Sequence, residues 1–88
     1  MGVVLKVAAR YRPQMDENTV KLKVGAVMRA RRMELGFSQD TFADEISMHR
    51  AYYSSLERGE RNLTLQTLIR VAKGLKTKAS DLLKSAGV

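Results

Sequence analysis

Cysteine is absent from this chain of 88 residues, and histidine occurs once, as His49. The lack of cysteine excludes disulfide bonds and thiolate metal ligands, and one histidine is too few for a structural zinc site. No apolar run approaches the ~18 residues of a membrane span. The apolar stretch from Val3 to Ala9 is too short and poorly flanked for a signal peptide. We therefore expect a cytoplasmic protein that holds no metal and no cofactor.

The parts of common catalytic sites are also missing from the sequence. There is no glycine-rich phosphate loop, no cluster of metal ligands, and no nucleophile beside a base and an orienting third group. His49 lies close in sequence to Ser54 and Ser55, but these residues are too little to propose catalysis. We therefore expect that the chain is not an enzyme.

Basic residues outnumber acidic ones, and the formal charge of +7 with a pI near 10.2 is typical of a protein with a polyanionic partner. Residues 1–37 carry 8 basic and 3 acidic side chains (net +5), residues 38–63 carry 3 and 5 (net −2), and residues 64–88 carry 5 and 1 (net +4). Solvated lysine faces would give the same overall charge. If the partner is a nucleic acid, the basic flanks are the better source of attraction to phosphate.

Helical spacing of apolar residues predicts an all-α fold. Residues 1–19 contain the only proline, Pro13, and we interpret them as an extension or arm outside the core. Residues 20–88 form the predicted domain, because apolar residues recur there at spacings of three and four. The predicted helices run from Val20 to Gly36, then over residues 39–45, 49–58, 65 to about 75, and 78–85. The fourth of these has the predicted core positions Leu65, Leu68, Ile69, Ala72 and Leu75.

Local signals mark where these helices begin and end. Gly36 fits a C-terminal stop, and Gly59 closes the third helix. Ser38 and Thr64 fit N-caps, because a hydroxyl can accept from a backbone amide that has no partner inside the helix. The residues between the second and third helices are predicted to form a tight turn at Ser47 and Met48, so that the two helices make a helix-turn-helix.

A family resemblance rests on three segments of the sequence: Leu35-Gly36-Phe37-Ser38-Gln39, Phe42-Ala43, and Arg50-x-Tyr52-Tyr53-Ser54-x-Leu56-Glu57-Arg58-Gly59. With these segments, residues 22–85 resemble the lambda-repressor-like family of Cro and phage-repressor type, also called the xenobiotic-response-element family. The start His49-Arg50-x-Tyr52 is similar to the controller proteins of restriction–modification systems. The resemblance implies a compact five-helix DNA-binding transcription regulator whose third helix lies in the major groove.

The third predicted helix has an inward face, with Tyr53 and Leu56, and an outward face. The candidates for reading bases lie on the outward face and are Arg50, Ala51, Ser54 and Ser55. Arginine can pair with guanine O6 and N7, alanine can touch a thymine methyl, and serine can pair with several bases. The resemblance adds Gln39, at the start of the second helix, as a contact to phosphate or to an outer base.

A second group of residues is predicted to contact the DNA backbone. Arg58, Arg61 and Asn62 flank the third helix and would clamp a phosphate, although Arg61 and Asn62 also fit an ordinary polar loop. Tyr52 would bond a phosphate through its hydroxyl, or else pack as an aromatic residue. His49 stands where the family often has a capping serine or threonine, and it would either bond DNA or cap the helix.

Three further positions are interpreted as structural from the family pattern. Arg32 and Glu57 correspond to a pair that forms a partly buried salt bridge between the first and third helices of relatives. Losing one partner of such a pair is strongly destabilising. Ser47 replaces a glycine that is frequent in the turn, and it adds strain of order 1 kcal/mol if the position needs a positive φ.

The resemblance implies binding to double-stranded DNA as a twofold homodimer on an inverted repeat. Leu82 and Leu83 on the last helix would supply the dimer contact, or they would close the core of the monomer. The N-terminal arm, with Lys6, Arg10 and Arg12, is the other candidate for dimer or phosphate contacts.

Two other roles stay open at this point. One is an antitoxin-type protein, which binds a toxin as well as its own promoter. The other is a protein-bridging module that keeps the fold without reading DNA, against which the exposed position predicted for Arg50 argues.

Overall fold

The computed structural model describes residues 16–88, which consist of five α-helices without a β-strand. The helices are α1 (Glu17–Glu34), α2 (Gln39–Glu45), α3 (Arg50–Glu57), α4 (Leu65–Gly74) and α5 (Ala79–Ala86). This confirms the prediction of an all-α, five-helix fold. Of the predicted N-terminal extension, residues 1–15 lie outside the described residues. None of these five helices is long and apolar enough to cross a membrane.

The first helix begins three residues earlier than the apolar pattern predicts, at Glu17. Asp16 caps it: the backbone amide of Thr19 donates to Oδ1 of Asp16 at 2.8 Å. This hydrogen bond holds the pKa of the Asp16 carboxyl below its ordinary value. The cap satisfies an amide that has no partner inside the helix. The first turn of α1 is therefore helical although no apolar residue marks it.

Ser38 and Thr64 cap α2 and α4 as predicted. Oγ of Ser38 accepts from the backbone amide of Thr41 at 3.1 Å, and Oγ1 of Thr41 accepts from the backbone amide of Ser38 at 3.0 Å. The pair forms a capping box, in which two backbone amides are satisfied reciprocally. Oγ1 of Thr64 accepts from the backbone amide of Thr67 at 3.1 Å. These caps fix the starts of the helices that flank α3.

One apolar core lies between the five helices. Phe42 of α2 and Tyr53 of α3 are fully buried, and their ring centroids lie 5.0 Å apart. Ala43 of α2 is 1% exposed and belongs to the same core. The buried apolar residues of the core are Val24, Met28, Phe42, Ala43, Ile46, Tyr53, Leu56, Leu68, Val71, Ala72, Leu75, Leu82 and Ala86.

Two of the core positions predicted for α4 are wrong. Leu65 is 70% exposed and Ile69 is 44% exposed, whereas Val71 is fully buried. The reason is the phase of the helix: the stripe that faces the core contains Leu68, Val71 and Leu75. Leu65 and Ile69 are four residues apart and share another face of α4. An apolar pair is therefore left at the surface.

The turn between α2 and α3 has a left-handed backbone at Ser47, so this position does need a positive φ. Ser47 adopts φ 54°, a conformation that costs of order 1–3 kcal/mol for a residue other than glycine. Arg70 of α4 supports the turn, because Nε donates to the carbonyl of Ile46 at 2.8 Å and Nη2 donates to the carbonyl of Ser47. The strained turn is thus held by a side chain from outside the helix-turn-helix.

The backbones of α1 and α3 approach each other at Gly25. A Cβ atom at this position would lie 2.3 Å from the carbonyl oxygen of Glu57 and 2.8 Å from that of Leu56. No side chain fits at such distances, so the position needs glycine although glycine weakens a helix. The approach fixes where the C-terminal end of α3 lies against α1.

Gly25→Ala should destabilise the protein by about 1–3 kcal/mol, the usual cost of forcing an extra atom into a packed site. Helix propensity alone predicts the opposite sign, a gain of about 1 kcal/mol. Urea unfolding followed by circular dichroism measures which effect dominates. Ala26→Gly at the adjacent exposed position is the control and should cost only about 1 kcal/mol of propensity. A Gly25→Ala variant more stable than the wild type would contradict the close approach.

Candidate nucleic-acid interface

The outward face of α3 carries a basic residue at its N-terminal end. The side chain of Arg50 is 62% exposed, and Arg50 is the first residue of the helix. Tyr53 and Leu56 are buried on the inward face, as predicted. The exposed or partly exposed residues of the outward face are Arg50, Ala51, Tyr52 and Ser54. Such a face can present donors and small apolar groups to base edges in a groove.

The structure contradicts the predicted outward position of Ser55. Ser55 is only 6% exposed, and its Oγ donates to the carbonyl of Tyr52 at 2.6 Å. Its backbone carbonyl accepts from the amide of Glu60 at 3.0 Å, a hydrogen bond that closes the C-terminal end of α3 beside the left-handed Gly59. The hydroxyl is therefore used inside the protein, and Ser55 is not a candidate for reading bases.

Asp40 of α2 forms an ion pair with Arg50. Oδ1 of Asp40 lies 3.0 Å from Nε of Arg50, and both side chains are well exposed, at 68% and 62%. The sequence did not indicate this pair, because the two residues are on different helices and the turn between the helices brings them together. The only signal was the net negative charge of residues 38–63, which placed carboxylates near the arginines.

A chain of hydrogen bonds links Gln39, Ser54 and Arg58 along the edge of α3. Oγ of Ser54 donates to Oε1 of Gln39 at 3.1 Å, and Nη1 of Arg58 donates to Oγ of Ser54 at 2.7 Å. Nε and Nη2 of Arg58 donate to the two oxygens of Glu60 at 2.9 and 3.0 Å. Bidentate pairing of this kind has a defined geometry. Three residues predicted to contact DNA are thus joined to one another, and Glu60 is a member that the sequence did not indicate.

Behind this edge, Glu57 accepts hydrogen bonds from three elements. Its carboxylate oxygens lie 2.6 Å from Nε and 3.1 Å from Nη2 of Arg32, so the ion pair expected between α1 and α3 is present. The hydroxyl of Tyr53 donates to Oε2 at 2.5 Å, and Nε2 of Gln39 donates to Oε1 at 3.0 Å. Nη1 of Arg32 donates to the carbonyl of Phe37 at 2.8 Å. No buried side-chain polar atom of the described residues lacks a hydrogen bond.

This network shifts the pKa values of its members. Burial acts to raise the pKa of Glu57, but hydrogen bonds from Arg32, Tyr53 and Gln39 outweigh it and hold the pKa below its ordinary value. Burial, together with the Glu57 carboxylate, raises the pKa of the Tyr53 hydroxyl far above its usual range. Glu57 is therefore ionised and Tyr53 protonated at neutral pH, the states in which the hydroxyl donates to the carboxylate.

The segment after α3 brings other predicted DNA contacts beside the helix. The guanidinium of Arg61 lies 5.5 Å from the ring centroid of Tyr52, within the range of a cation–π contact. Nζ of Lys21 donates to Oδ1 of Asn62 at 3.3 Å, which ties this segment to α1. His49 is exposed and makes no capping hydrogen bond through its side chain. Its role as a cap is thus not supported, while a role at the DNA backbone stays a prediction.

A groove runs beside α3 between the helix and the following segment, and its lining includes Tyr52, Arg58 and Arg61. Guanidinium and hydroxyl groups are among those that bind phosphate oxygens in protein–DNA complexes. Within residues 16–88, no group of three or more acidic or histidine side chains is arranged to hold a metal ion.

The last helix divides its two leucines between core and surface. Leu82 is 3% exposed and belongs to the core, so it does not form an exposed dimer patch. Leu83 is partly buried and packs against the core, and Val88 is 48% exposed. Of the alternatives that the sequence left open for Leu82, the structure supports closure of the monomer core.

Comparison with known proteins gives consistent matches. The helix-turn-helix family model matches residues 28–82. The control protein C.MunI of Mycoplasma sp is 38% identical over 66 residues, covering 74% of this chain and 89% of that protein. The control protein C.BamHI of Bacillus amyloliquefaciens is 36% identical over 67 residues, covering 75% and 83%. The restriction–modification controller protein C.Esp1396I, solved as a tetramer in complex with its natural 35 base-pair operator, is 32% identical with a TM-score of 0.68, covering 78% of this chain and 96% of that one.

Acid should weaken the protein through Glu57. Because its pKa is lowered on folding, the stability that it contributes is present above the ordinary glutamate pKa and is lost as the pH falls through the folded-state pKa. Glu57→Gln leaves Arg32 buried without a counter-charge, so we expect a loss of about 3–5 kcal/mol at pH 7. The variant should also lose less stability than the wild type as the pH falls below the ordinary glutamate pKa, measured by urea unfolding. Glu45→Gln, at an exposed position of α2, is the control and should change neither quantity. An unchanged acid decline in Glu57→Gln would contradict this role.

Proposed function

We propose, since this chain belongs to the helix-turn-helix family of DNA-binding transcription regulators and is of the controller-protein type, that it binds one operator sequence as a homodimer. In this proposal α3 lies in the major groove, and each protomer reads one half of an inverted repeat. The protein acts in the cytoplasm. The observation that carries the proposal is the exposed Arg50 at the N-terminal end of α3. Residues at this end of a recognition helix are the ones that contact base edges.

Base reading is assigned to the N-terminal half of the exposed face of α3. Arg50 would donate two hydrogen bonds to guanine O6 and N7, and Ala51 would contact a thymine methyl. Gln39 and Ser54 are held by their mutual hydrogen bond, and each keeps capacity for a further contact at the edge of the groove. Ser55 has no part in this proposal, because its hydroxyl is used inside the protein.

The phosphate contacts are assigned to the two sides of α3. The Arg61 guanidinium lies over the Tyr52 ring, and Asn62 follows Arg61 on the same segment. Arg58 and His49 are the candidates at the two ends of the helix. These contacts would position α3 on the duplex without selecting a sequence. The basic flanks of the helix-turn-helix would add long-range attraction, because residues 64–88 alone carry a net +4, with 5 basic and 1 acidic side chains.

Homodimerisation is supported by symmetry and by an apolar surface. A twofold dimer matches an inverted repeat, and the similar controller protein C.Esp1396I binds its operator as a tetramer. Leu65 and Ile69 on α4 are exposed, and Val88 follows α5. We assign the dimer contact to Leu65 and Ile69 of α4, with Val88 and the partly buried Leu83 at the C-terminal end as further contributors. The similarity to control proteins favours this regulator over an antitoxin-type protein.

Selection from a pool of random DNA duplexes tests the reading function. The wild type should enrich an inverted repeat. Arg50→Ala should relax the preference at one base pair in each half-site, at a cost of about 1–3 kcal/mol. Arg61→Ala is the matched control: it removes one guanidinium from a phosphate contact and should weaken binding to all sequences alike. Weak binding that is equal for all sequences and disappears with salt would contradict specific recognition.

Sedimentation tests the dimer. The chain has a mass of 9.9 kDa, and at micromolar concentration we expect a species of twice that mass. Leu65→Glu combined with Ile69→Glu should shift the protein to the monomer, because two charges would have to be buried in an apolar contact. Leu22→Glu, at an exposed apolar position of α1, is the control and should remain dimeric. A wild type that sediments only as monomer at high concentration would contradict the proposal.

A further inference from the structure

Two arginines near the recognition surface hold carboxylates in different ways. Arg58 uses Nε, Nη1 and Nη2 for hydrogen bonds to Glu60 and Ser54. Arg50 meets Asp40 at Nε, at a distance of 3.0 Å. Within the described part of the chain, neither terminal nitrogen of Arg50 takes part in a hydrogen bond. The contact between Arg50 and Asp40 is thus an ion pair on one side of the guanidinium, and both terminal nitrogens stay available.

The pair between Arg50 and Asp40 adds little to the stability of the fold. Both side chains are more than half exposed, and exposed ion pairs are weak because water and salt screen them. The effect of the pair is therefore on the orientation of the Arg50 side chain. An ion pair beside Nε favours those orientations of the side chain in which the two terminal nitrogens point away from Asp40.

We propose that Asp40 is a specificity-determining residue that positions Arg50 for guanine. The carboxylate lies against Nε and leaves Nη1 and Nη2 for O6 and N7 of the base, which are the two acceptors of a bidentate contact. Asp40 need not touch the DNA to do this. The inference rests on the proposed function, because it requires that Arg50 reads a base.

The charge of Asp40 has a second consequence for the same arginine. A phosphate that approaches Arg50 also approaches the carboxylate and is repelled, whereas the acceptors of a guanine edge carry no net charge. Sequence-independent binding comes almost entirely from phosphates. Asp40 therefore weakens contacts of Arg50 with the DNA backbone more than its contact with a base, and raises the ratio of specific to non-specific binding.

The test compares Asp40→Asn with Asp44→Asn in the full chain. Asp44 lies one turn further along the same face of α2, and its replacement changes the net charge by the same amount. Each variant is bound to the sequence selected by the wild type and to a scrambled duplex over a series of salt concentrations. Asp40→Glu, which keeps the carboxylate, serves as the conservative variant, and thermal unfolding checks that all variants are folded.

For Asp40→Asn we expect the guanine preference at the base pair read by Arg50 to fall about two- to fivefold, because an exposed ion pair is weak. Binding to the scrambled duplex should strengthen, and its salt dependence should steepen by about 0.9 in log–log slope for each protomer. Asp44→Asn should leave the base preference unchanged, and Asp40→Glu should restore most of it.

Other outcomes separate the possible failures. If Asp40→Asn and Asp44→Asn behave alike, only net charge matters and the positioning role is overturned. If the preference changes only at a neighbouring base pair, Asp40 contacts a base directly and the role is likewise overturned. If the wild type selects no sequence at all, the proposed function fails and this inference fails with it.

Discussion

The arrangement of the reading surface depends on one buried ion pair, between Arg32 of α1 and Glu57 of α3. Glu57 is the last residue of α3, and its carboxylate also accepts from Tyr53 and from Gln39, the first residue of α2. The Glu57 carboxylate therefore connects α1, α2 and α3 through hydrogen bonds. Replacing a pair of this kind by apolar residues is often neutral for stability, so its value here is better understood as geometric. The pair fixes the position of the N-terminal end of α2 relative to the C-terminal end of α3.

Charge is distributed so that the segments proposed to attract phosphate differ from the segment proposed to read bases. Residues 38–63 contain all of α2 and α3 and are net negative, and the two arginines of α3 and its C-cap, Arg50 and Arg58, each face a carboxylate. The positive excess lies on the flanking segments. A surface of this kind gains less from phosphate alone than a basic recognition helix would, and it depends more on the match between side chains and bases.

The sequence predicted the fold and the inward half of the site better than the outward half. Helix starts at Ser38 and Thr64 and the buried pair of Arg32 and Glu57 follow from local capping chemistry and from the family pattern. The early start of α1 depends on one cap, at Asp16, that no apolar residue marks. Ser55 was misplaced because its side chain is buried and donates to the carbonyl of Tyr52 inside the helix, and Asp40 gained its partner Arg50 only through the packing of α2 against α3. Such contacts join surface residues, and the spacing of surface residues along the sequence does not show which of them are close in the fold.

The helix-turn-helix depends on a residue outside the motif for the conformation of its turn, because Arg70 of α4 holds the carbonyls of Ile46 and Ser47. The left-handed residue in the turn is not a glycine, and two carbonyls of the turn are held by an arginine from α4. The angle between α2 and α3 is thus set partly by a helix that lies outside the motif in sequence. Residues 38–59 transplanted onto another scaffold would carry the side chains that we propose read DNA, but not Arg70, which holds the turn between their helices. The geometry of the helix-turn-helix is therefore a property of the five-helix domain and not of the motif alone.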